Sequence, residues 1–145
     1  MLERPLPPLP MRAKSAVLVL TLVAALAASA AACKRSSAGS AKLEGRWRGT
    51  RADGVTAPEA QLPATVFATG TEIIARGNQI AVTTPSGKPQ QATYFVDSEE
   101  KNSVVIHTDK DGPAARETFM FSDDGKTMMW RIDERRSIVF QRIAN

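Results

Sequence analysis

The chain has 145 residues, of which 19 are Lys or Arg, 15 are Asp or Glu and one is Cys, giving a formal net charge of +4. The basic excess lies near the N-terminus, because from residue 43 onward 13 basic side chains stand against 14 acidic ones. This balance argues against the basic face of a nucleic-acid-binding domain, and a single cysteine excludes an intramolecular disulfide.

The segment from Met11 to residue 32 has the three parts of an export signal. Arg12 and Lys14 give a basic start, residues 16–28 carry no charge, and residues 29–32 are small. The charge holds the start in the cytoplasm, the apolar run enters lipid, and small residues fit the signal peptidase. We therefore predict a signal peptide over residues 1–32. Met11 is an alternative start, since the proline-rich residues before it do not form a basic n-region.

Cys33 follows three alanines, residues 30–32. This arrangement resembles the lipobox of bacterial lipoproteins, in which three small or aliphatic residues precede a cysteine that is acylated and becomes the new N-terminus. Ala30 departs from the leucine that the family prefers. The resemblance implies that Cys33 is a lipid-attachment site and that N-terminal acyl chains hold the protein in a membrane of the cell envelope.

Two other interpretations of the N-terminal segment remain open. The same alanines would suit the general signal peptidase, which would release a secreted domain with an incidental thiol at Cys33. Alternatively, the segment could be an uncleaved membrane anchor, since residues 16–32 are close to the shortest apolar run that can span a membrane.

Residues 33–42 follow the signal as a lipidated cysteine and a tether. Serine and glycine are frequent here, which is typical of a flexible linker. Lys34 stands where enteric lipoproteins retained at the inner membrane tend to carry aspartate. The resemblance therefore implies an outer-membrane location, facing the periplasm or the surface.

Residues 43–145 are predicted to form one all-β domain. Apolar and polar residues alternate, and turn residues recur at intervals of roughly ten, which is typical of a sandwich or a barrel. Gly77 and Asn78 form a two-residue hairpin signal. Residues 52–63 are predicted to be a loop and residues 64–69 a short strand, with no helix after the signal. The other predicted strands are residues 43–51, 71–76, 79–84, 91–97, 102–108, 115–121, 127–132 and 136–143.

The first of these strands contains Gly45-Arg46-Trp47, which resembles the G-x-W start of the lipocalin superfamily. In that family the tryptophan closes one end of an antiparallel up-and-down barrel, here of about eight strands, and packs against an arginine from the last strand. Arg142 occupies a suitable place on the same face as Phe140. The resemblance implies that Trp47 and Arg142 form a structural, barrel-closing pair with about 0.5 to 2 kcal/mol of cation–π attraction. The alternative is a core Trp47 and an unrelated, exposed Arg142.

No residue pattern indicates a catalytic, cofactor-binding or metal site. His107 is the single histidine, whereas zinc and copper sites usually gather several His or Cys ligands. Residues 109–112 resemble part of a calcium loop, but Thr118 stands where an EF-hand has its last glutamate. Residues 122–125 are predicted to form a tight turn.

We therefore expect a non-enzymatic, monomeric envelope protein with no nucleic-acid partner and no cofactor. Its barrel would bind a small apolar or amphipathic ligand or a segment of another envelope protein. The alternative is an interaction protein with a filled barrel, which contacts a partner through its outer face or through residues 52–63. A lumen cavity of a few hundred Å³ would favour the ligand, whereas a packed interior would favour the interaction role.

Overall fold

The computed structural model describes residues 39–144 of the chain. The predicted signal peptide and Cys33 lie outside the described residues, as does most of the predicted tether. Within the described residues, the elements are β1 (Gly45–Asp53), α1 (Pro58–Thr69), β2 (Glu72–Arg76), β3 (Gln79–Thr83), β4 (Gln90–Glu99), β5 (Ser103–Thr108), β6 (Glu117–Phe121), β7 (Thr127–Arg131) and β8 (Ser137–Ile143). In this part of the chain no helix is long and apolar enough to cross a membrane.

The eight strands form one closed barrel in which each strand pairs with the next along the chain. All neighbours are antiparallel, and the barrel closes where Trp47 of β1 lies opposite Arg142 of β8. Closure leaves no free sheet edge that could pair with another chain. The predicted antiparallel up-and-down barrel of eight strands is therefore confirmed.

Alternation along the strands directs one row of side chains from each strand into the barrel. The buried core consists of Leu43, Trp47, Ala68, Ile73, Ala75, Ile80, Tyr94, Val104, Ile106, Phe119, Phe121, Met128, Ile138 and Phe140. The predicted inward row of β4 is confirmed around Tyr94, which is 1 % exposed. These side chains are unevenly distributed along the barrel, and this distribution defines two different ends.

The end that carries the β2–β3, β4–β5 and β6–β7 turns is called the closed end, and the opposite end is called the open end. Residues 40–43 cover the closed end. They were predicted to belong to a flexible tether up to Lys42, yet the backbone of Ser40 is held by the Tyr94 hydroxyl and Leu43 is fully buried. Lys42 also forms an ion pair with Glu99 at 2.7 Å. Ser40 and Lys42 are therefore part of the folded domain and not of a flexible tether.

The segment between β1 and β2 is the main correction to the sequence analysis. The predicted loop over residues 52–63 and strand over residues 64–69 are wrong, since β1 continues to Asp53 and residues 58–69 form α1. Pro58 suits the first turn of a helix, where its missing N–H has no partner to lose. At the other end, the Gly70 N–H donates to the Val66 carbonyl at 3.1 Å.

Close backbone contact places α1 against β1. Ala68 is fully buried, and a Cβ at Gly49 would lie 1.9 Å from the Ala68 carbonyl oxygen, so only glycine allows this approach. The Gly49 N–H also donates to the Thr71 carbonyl at 2.9 Å. The helix therefore lies beside the part of β1 that extends beyond β2, near the open end.

Candidate functional site

The closed end contains the predicted pair of Trp47 and Arg142. The guanidinium carbon of Arg142 lies 4.1 Å from the centroid of the Trp47 ring, which is within cation–π range. Trp47 is fully buried, and its Nε1 donates to the Leu43 carbonyl at 2.9 Å. The structure therefore brings the two residues together in the arrangement that the lipocalin-like pattern implies, and not as an unrelated pair.

Arg142 also binds backbone carbonyls around the closed end. Its Nη1 donates to the Glu44 carbonyl, its Nη2 to the Lys42 carbonyl at 3.2 Å, and its Nε to the Gly125 carbonyl at 3.0 Å. One side chain thus links the N-terminal turn, the β6–β7 turn and β8. Its role is structural, because these donors are occupied by the protein itself.

Gly45 is required for this arrangement by both its backbone and its lack of a side chain. Its φ is +123°, a conformation that L side chains rarely adopt, and a Cβ would lie 2.6 Å from Nη1 of Arg142. The glycine and the tryptophan of the G-x-W pattern therefore have different roles here. Gly45 leaves space for the guanidinium, and Trp47 supplies the ring beneath it.

Tyr94 completes the closed end from β4. Its hydroxyl accepts from the Ser40 N–H at 2.9 Å and donates to the Gly77 carbonyl at 2.7 Å. Burial raises the pKa of the Tyr94 phenol above its ordinary value, so the hydroxyl stays protonated and can donate. With Phe121, whose ring centroid lies 5.8 Å from that of Trp47, these side chains fill the closed half of the barrel.

The open half of the barrel contains a cavity of about 250 Å³, here called the lumen cavity. Its walls are mostly apolar, and polar groups are present toward its rim. The side chains that line it are Ile73, Ile80, Val82, Thr84, Gln90, Gln91, Ala92, Ile106, Thr108, Lys110, Asp111, Glu117, Phe119 and Trp130. Its volume falls just below the 300 to 1,000 Å³ range of typical ligand sites, so a fitting ligand would be small.

One carboxylate on a strand faces the lumen cavity. Glu117 begins β6 in the same inward row as Phe119, and its Oε2 accepts from Nε1 of Trp130 at 2.7 Å. Trp130 also stacks on Phe119, with ring centroids 6.1 Å apart. Two aromatic rings and one carboxylate therefore form one wall of the cavity.

Further concavities lie outside the lumen. One, of about 560 Å³, is a shallow surface depression between residues 54–60 and residues 133–136. Another, of about 260 Å³, lies between α1 and the barrel rim and is lined by Phe67, Trp130 and Ile138 among others. Trp130 borders both this groove and the lumen cavity, so its indole separates α1 from the barrel interior.

Of the residues 109–112 that resemble part of a calcium loop, Lys110 and Asp111 line the lumen cavity, whereas the other residues singled out from the sequence lie elsewhere. His107 lies on the outer face, where its Nδ1 is 2.8 Å from Oδ1 of Asp97 and its ring stacks on Phe95. Asp123 and Asp124 belong to the β6–β7 turn at the closed end. Cys33, the predicted lipid-attachment site, lies outside the described residues.

Glu117 was not identified as a site residue from the sequence. The available signal was its position in an otherwise apolar row with Phe119 and Phe121. Its partner Trp130 follows 13 residues later on the neighbouring strand, so only the strand register reveals the pair.

Comparison of the chain with protein-family models, with curated proteins and with solved structures finds no match.

Proposed function

We propose that this chain is an exported, lipid-anchored envelope protein whose barrel binds a small apolar or amphipathic molecule in the lumen cavity. The observation that carries the proposal is the uneven filling of the barrel. Eight-stranded barrels either fill their interior with side chains or hold one small ligand. Here Trp47, Tyr94 and Phe140 fill the closed half, while about 250 Å³ of mostly apolar space remains in the open half.

The proposed anchor would also limit the distance between the barrel and the membrane. Seven peptide units separate Cys33 from Ser40, where the chain is held against Tyr94. Even a fully extended segment of this length spans at most about 25 Å. Lipidation of Cys33 would therefore keep the closed end of the barrel close to the membrane surface.

The function that we propose is non-enzymatic. The walls of the lumen cavity supply mainly packing surface, and the carboxylates that line it among the described residues are Asp111, in the exposed turn before β6, and Glu117. A hydrogen bond from Trp130 fixes Glu117 in place. Such an arrangement suits selection of a ligand, whereas hydrolysis of glycosides requires two carboxyl groups placed on either side of the substrate.

A second candidate function is contact with an envelope protein through α1. Leu62 and Val66 stand four residues apart on one face of α1 and are 73 % and 54 % exposed. Residues at this spacing are neighbours on a helix surface. Such a contact was predicted from the sequence at the outer face of the barrel or at residues 52–63, and the exposed face of α1 is the observation that favours it.

The first experiment determines the intact mass of the protein extracted from membranes, under conditions that preserve bound molecules. We expect a mass increase from acyl chains, and this increase should be lost in Cys33→Ser. We also expect a co-purified small molecule. Ala92→Phe, which adds a ring within the lumen cavity, should lose that molecule and keep the acyl chains. An unacylated N-terminus would contradict the anchor, and equal ligand retention in Ala92→Phe would contradict the lumen site.

A further inference from the structure

Glu117 has unused hydrogen-bonding capacity toward the lumen cavity. A carboxylate can accept about four hydrogen bonds, and among residues 39–144 its side chain accepts one, from Trp130. The bond comes from an uncharged indole N–H, so it does not neutralise the negative charge. The remaining acceptor positions are available to a donor on a ligand.

The Glu117 carboxylate also forms no ion pair within the described residues. No Lys, Arg or His nitrogen of residues 39–144 lies within salt-bridge distance of it. Lys110 and Asp111 also line the cavity, but they are exposed, adjacent and of opposite sign. Oδ2 of Asp111 already accepts from the Thr108 hydroxyl at 3.0 Å.

A half-buried, unpaired carboxylate beside apolar walls makes the site complementary to a cation. Removing a charge from water is unfavourable unless a partner of opposite charge compensates for it. The faces of the Trp130 and Phe119 rings, which are nearly parallel at 25°, add attraction for a cation. Ile73, Ile80 and Ile106 supply the walls for an apolar body.

We infer that the lumen cavity selects a small organic cation, in which an ammonium group bound by Glu117 is attached to an apolar body packed against the isoleucine walls. This inference rests on the ligand-binding function proposed above and narrows its ligand class. The ammonium would donate to the free acceptor positions of Glu117 beside Trp130. A neutral molecule of the same shape would bind the walls and leave the carboxylate unpaired.

The test uses three probes of similar shape and different charge: hexylammonium, hexan-1-ol and hexanoate. Their dissociation constants are measured on the purified full-length protein by titration calorimetry at neutral pH. We expect hexylammonium to bind about ten- to hundredfold more tightly than hexan-1-ol. The reason is that its ammonium would donate to a charged carboxylate, and hydrogen bonds to charged groups contribute more than those between neutral groups. Hexanoate should bind most weakly, because two carboxylates repel each other.

Matched variants locate the selectivity. Glu117→Gln keeps the shape of the side chain and an acceptor for Trp130, and we expect it to remove the preference for hexylammonium. Glu100→Gln makes the same charge change in the exposed β4–β5 turn at the closed end, and we expect it to keep the preference. Ala92→Phe should weaken the binding of every probe that the unaltered protein binds.

The outcomes separate this inference from the ligand-binding function. Equal affinity for hexylammonium and hexan-1-ol in the unaltered protein would overturn the cation selectivity and leave lumen binding in place. A preference for hexylammonium that persists in Glu117→Gln would also overturn the inference, since a group other than the Glu117 carboxylate would then produce it. Failure of all three probes to bind would contradict both the inference and the function on which it rests.

Discussion

Arg142 is the residue on which the closed end most depends. Its donors reach the carbonyls of Lys42, Glu44 and Gly125, and its guanidinium lies over the Trp47 ring. These contacts join segments about 100 residues apart in the chain. A lysine cannot replace the arginine fully, because the planar guanidinium can stack and donate in several directions at once.

We predict that Arg142→Ala lowers the free energy of unfolding by about 2 kcal/mol, combining the lost cation–π contact and the unpaired carbonyls. Arg142→Lys should recover only part of this loss. Arg131→Ala is the control, because Arg131 is exposed on β7, and it should change stability by less than about 0.5 kcal/mol. Denaturant unfolding measures all three, and an unchanged midpoint in Arg142→Ala would contradict the closing role of the pair.

Gly45 gives a second prediction, which separates backbone strain from crowding. Gly45→Ala places a Cβ at a φ of +123° and 2.6 Å from Arg142, whereas Gly87→Ala places one at a φ of +100° with nothing within 4 Å. Strain alone costs on the order of 1 to 3 kcal/mol. We expect Gly45→Ala to lower the melting temperature more than Gly87→Ala, and equal losses would show that the guanidinium moves aside freely.

The sequence predicted the closing pair but not the residues that surround the lumen cavity. Trp47 and Arg142 were identified before the structure was known because they resemble a short pattern of the lipocalin superfamily. Gly45 requires knowledge of φ and of the position of the guanidinium. Glu117 acquires its role only from the register of β6 and β7, which places it beside Trp130.

At the level of elements, α1 is the feature that the sequence pattern could not reveal. Of its twelve residues only Ala68 is buried, so no apolar stripe of helical period exists to be recognised. Pro58 and Pro63 also make the segment resemble a loop. The strands were predicted well because each buries one face, which imposes the two-residue alternation along its length.

The packing of α1 on β1 gives the third prediction. Ala68 is fully buried in the core cluster, so Ala68→Leu would overpack it, and we expect a loss of about 1 to 3 kcal/mol in the free energy of unfolding. Gln61→Leu adds a similar side chain at an exposed position of the same helix and should be nearly neutral. Equal effects of the two substitutions would contradict the packing of this face of α1 against the core.

The β7–β8 turn gives a prediction about acid stability. The Arg136 side chain and the backbone N–H groups of Arg135 and Arg136 lower the pKa of Asp133 to about 2. Because this value lies below the pKa of about 3.9 for an unfolded aspartate, the stabilisation is complete above about pH 4 and is lost as the pH falls toward 2.

We expect Asp133→Asn to make stability less dependent on pH between about 4 and 2, as measured by urea unfolding at a series of pH values. Glu134→Gln removes the same charge from the neighbouring exposed residue and should preserve the dependence. An identical pH profile for Asp133→Asn and the unaltered protein would contradict the role of these hydrogen bonds.

For the whole molecule, the two ends of the barrel differ in what they contain. The closed end holds residues 40–43, the Trp47–Arg142 pair and Tyr94, and these side chains fill it. The open end carries α1, the Glu117–Trp130 pair and the lumen cavity. The sequence predicted a closed barrel from strand periodicity and a family resemblance, but the volume of a cavity depends on how side chains from eight strands meet, which no linear pattern contains.

The most direct test of the lumen site is a map of methyl and amide NMR shifts as hexylammonium is added to the isotope-labelled protein. We predict that saturable shift changes cluster at the walls of the lumen cavity, around Ile73, Ile106, Phe119 and Trp130. Residues of the closed end, such as Leu43 and Trp47, should remain unchanged. Changes confined to the outer face or to the exposed side of α1 would contradict the account.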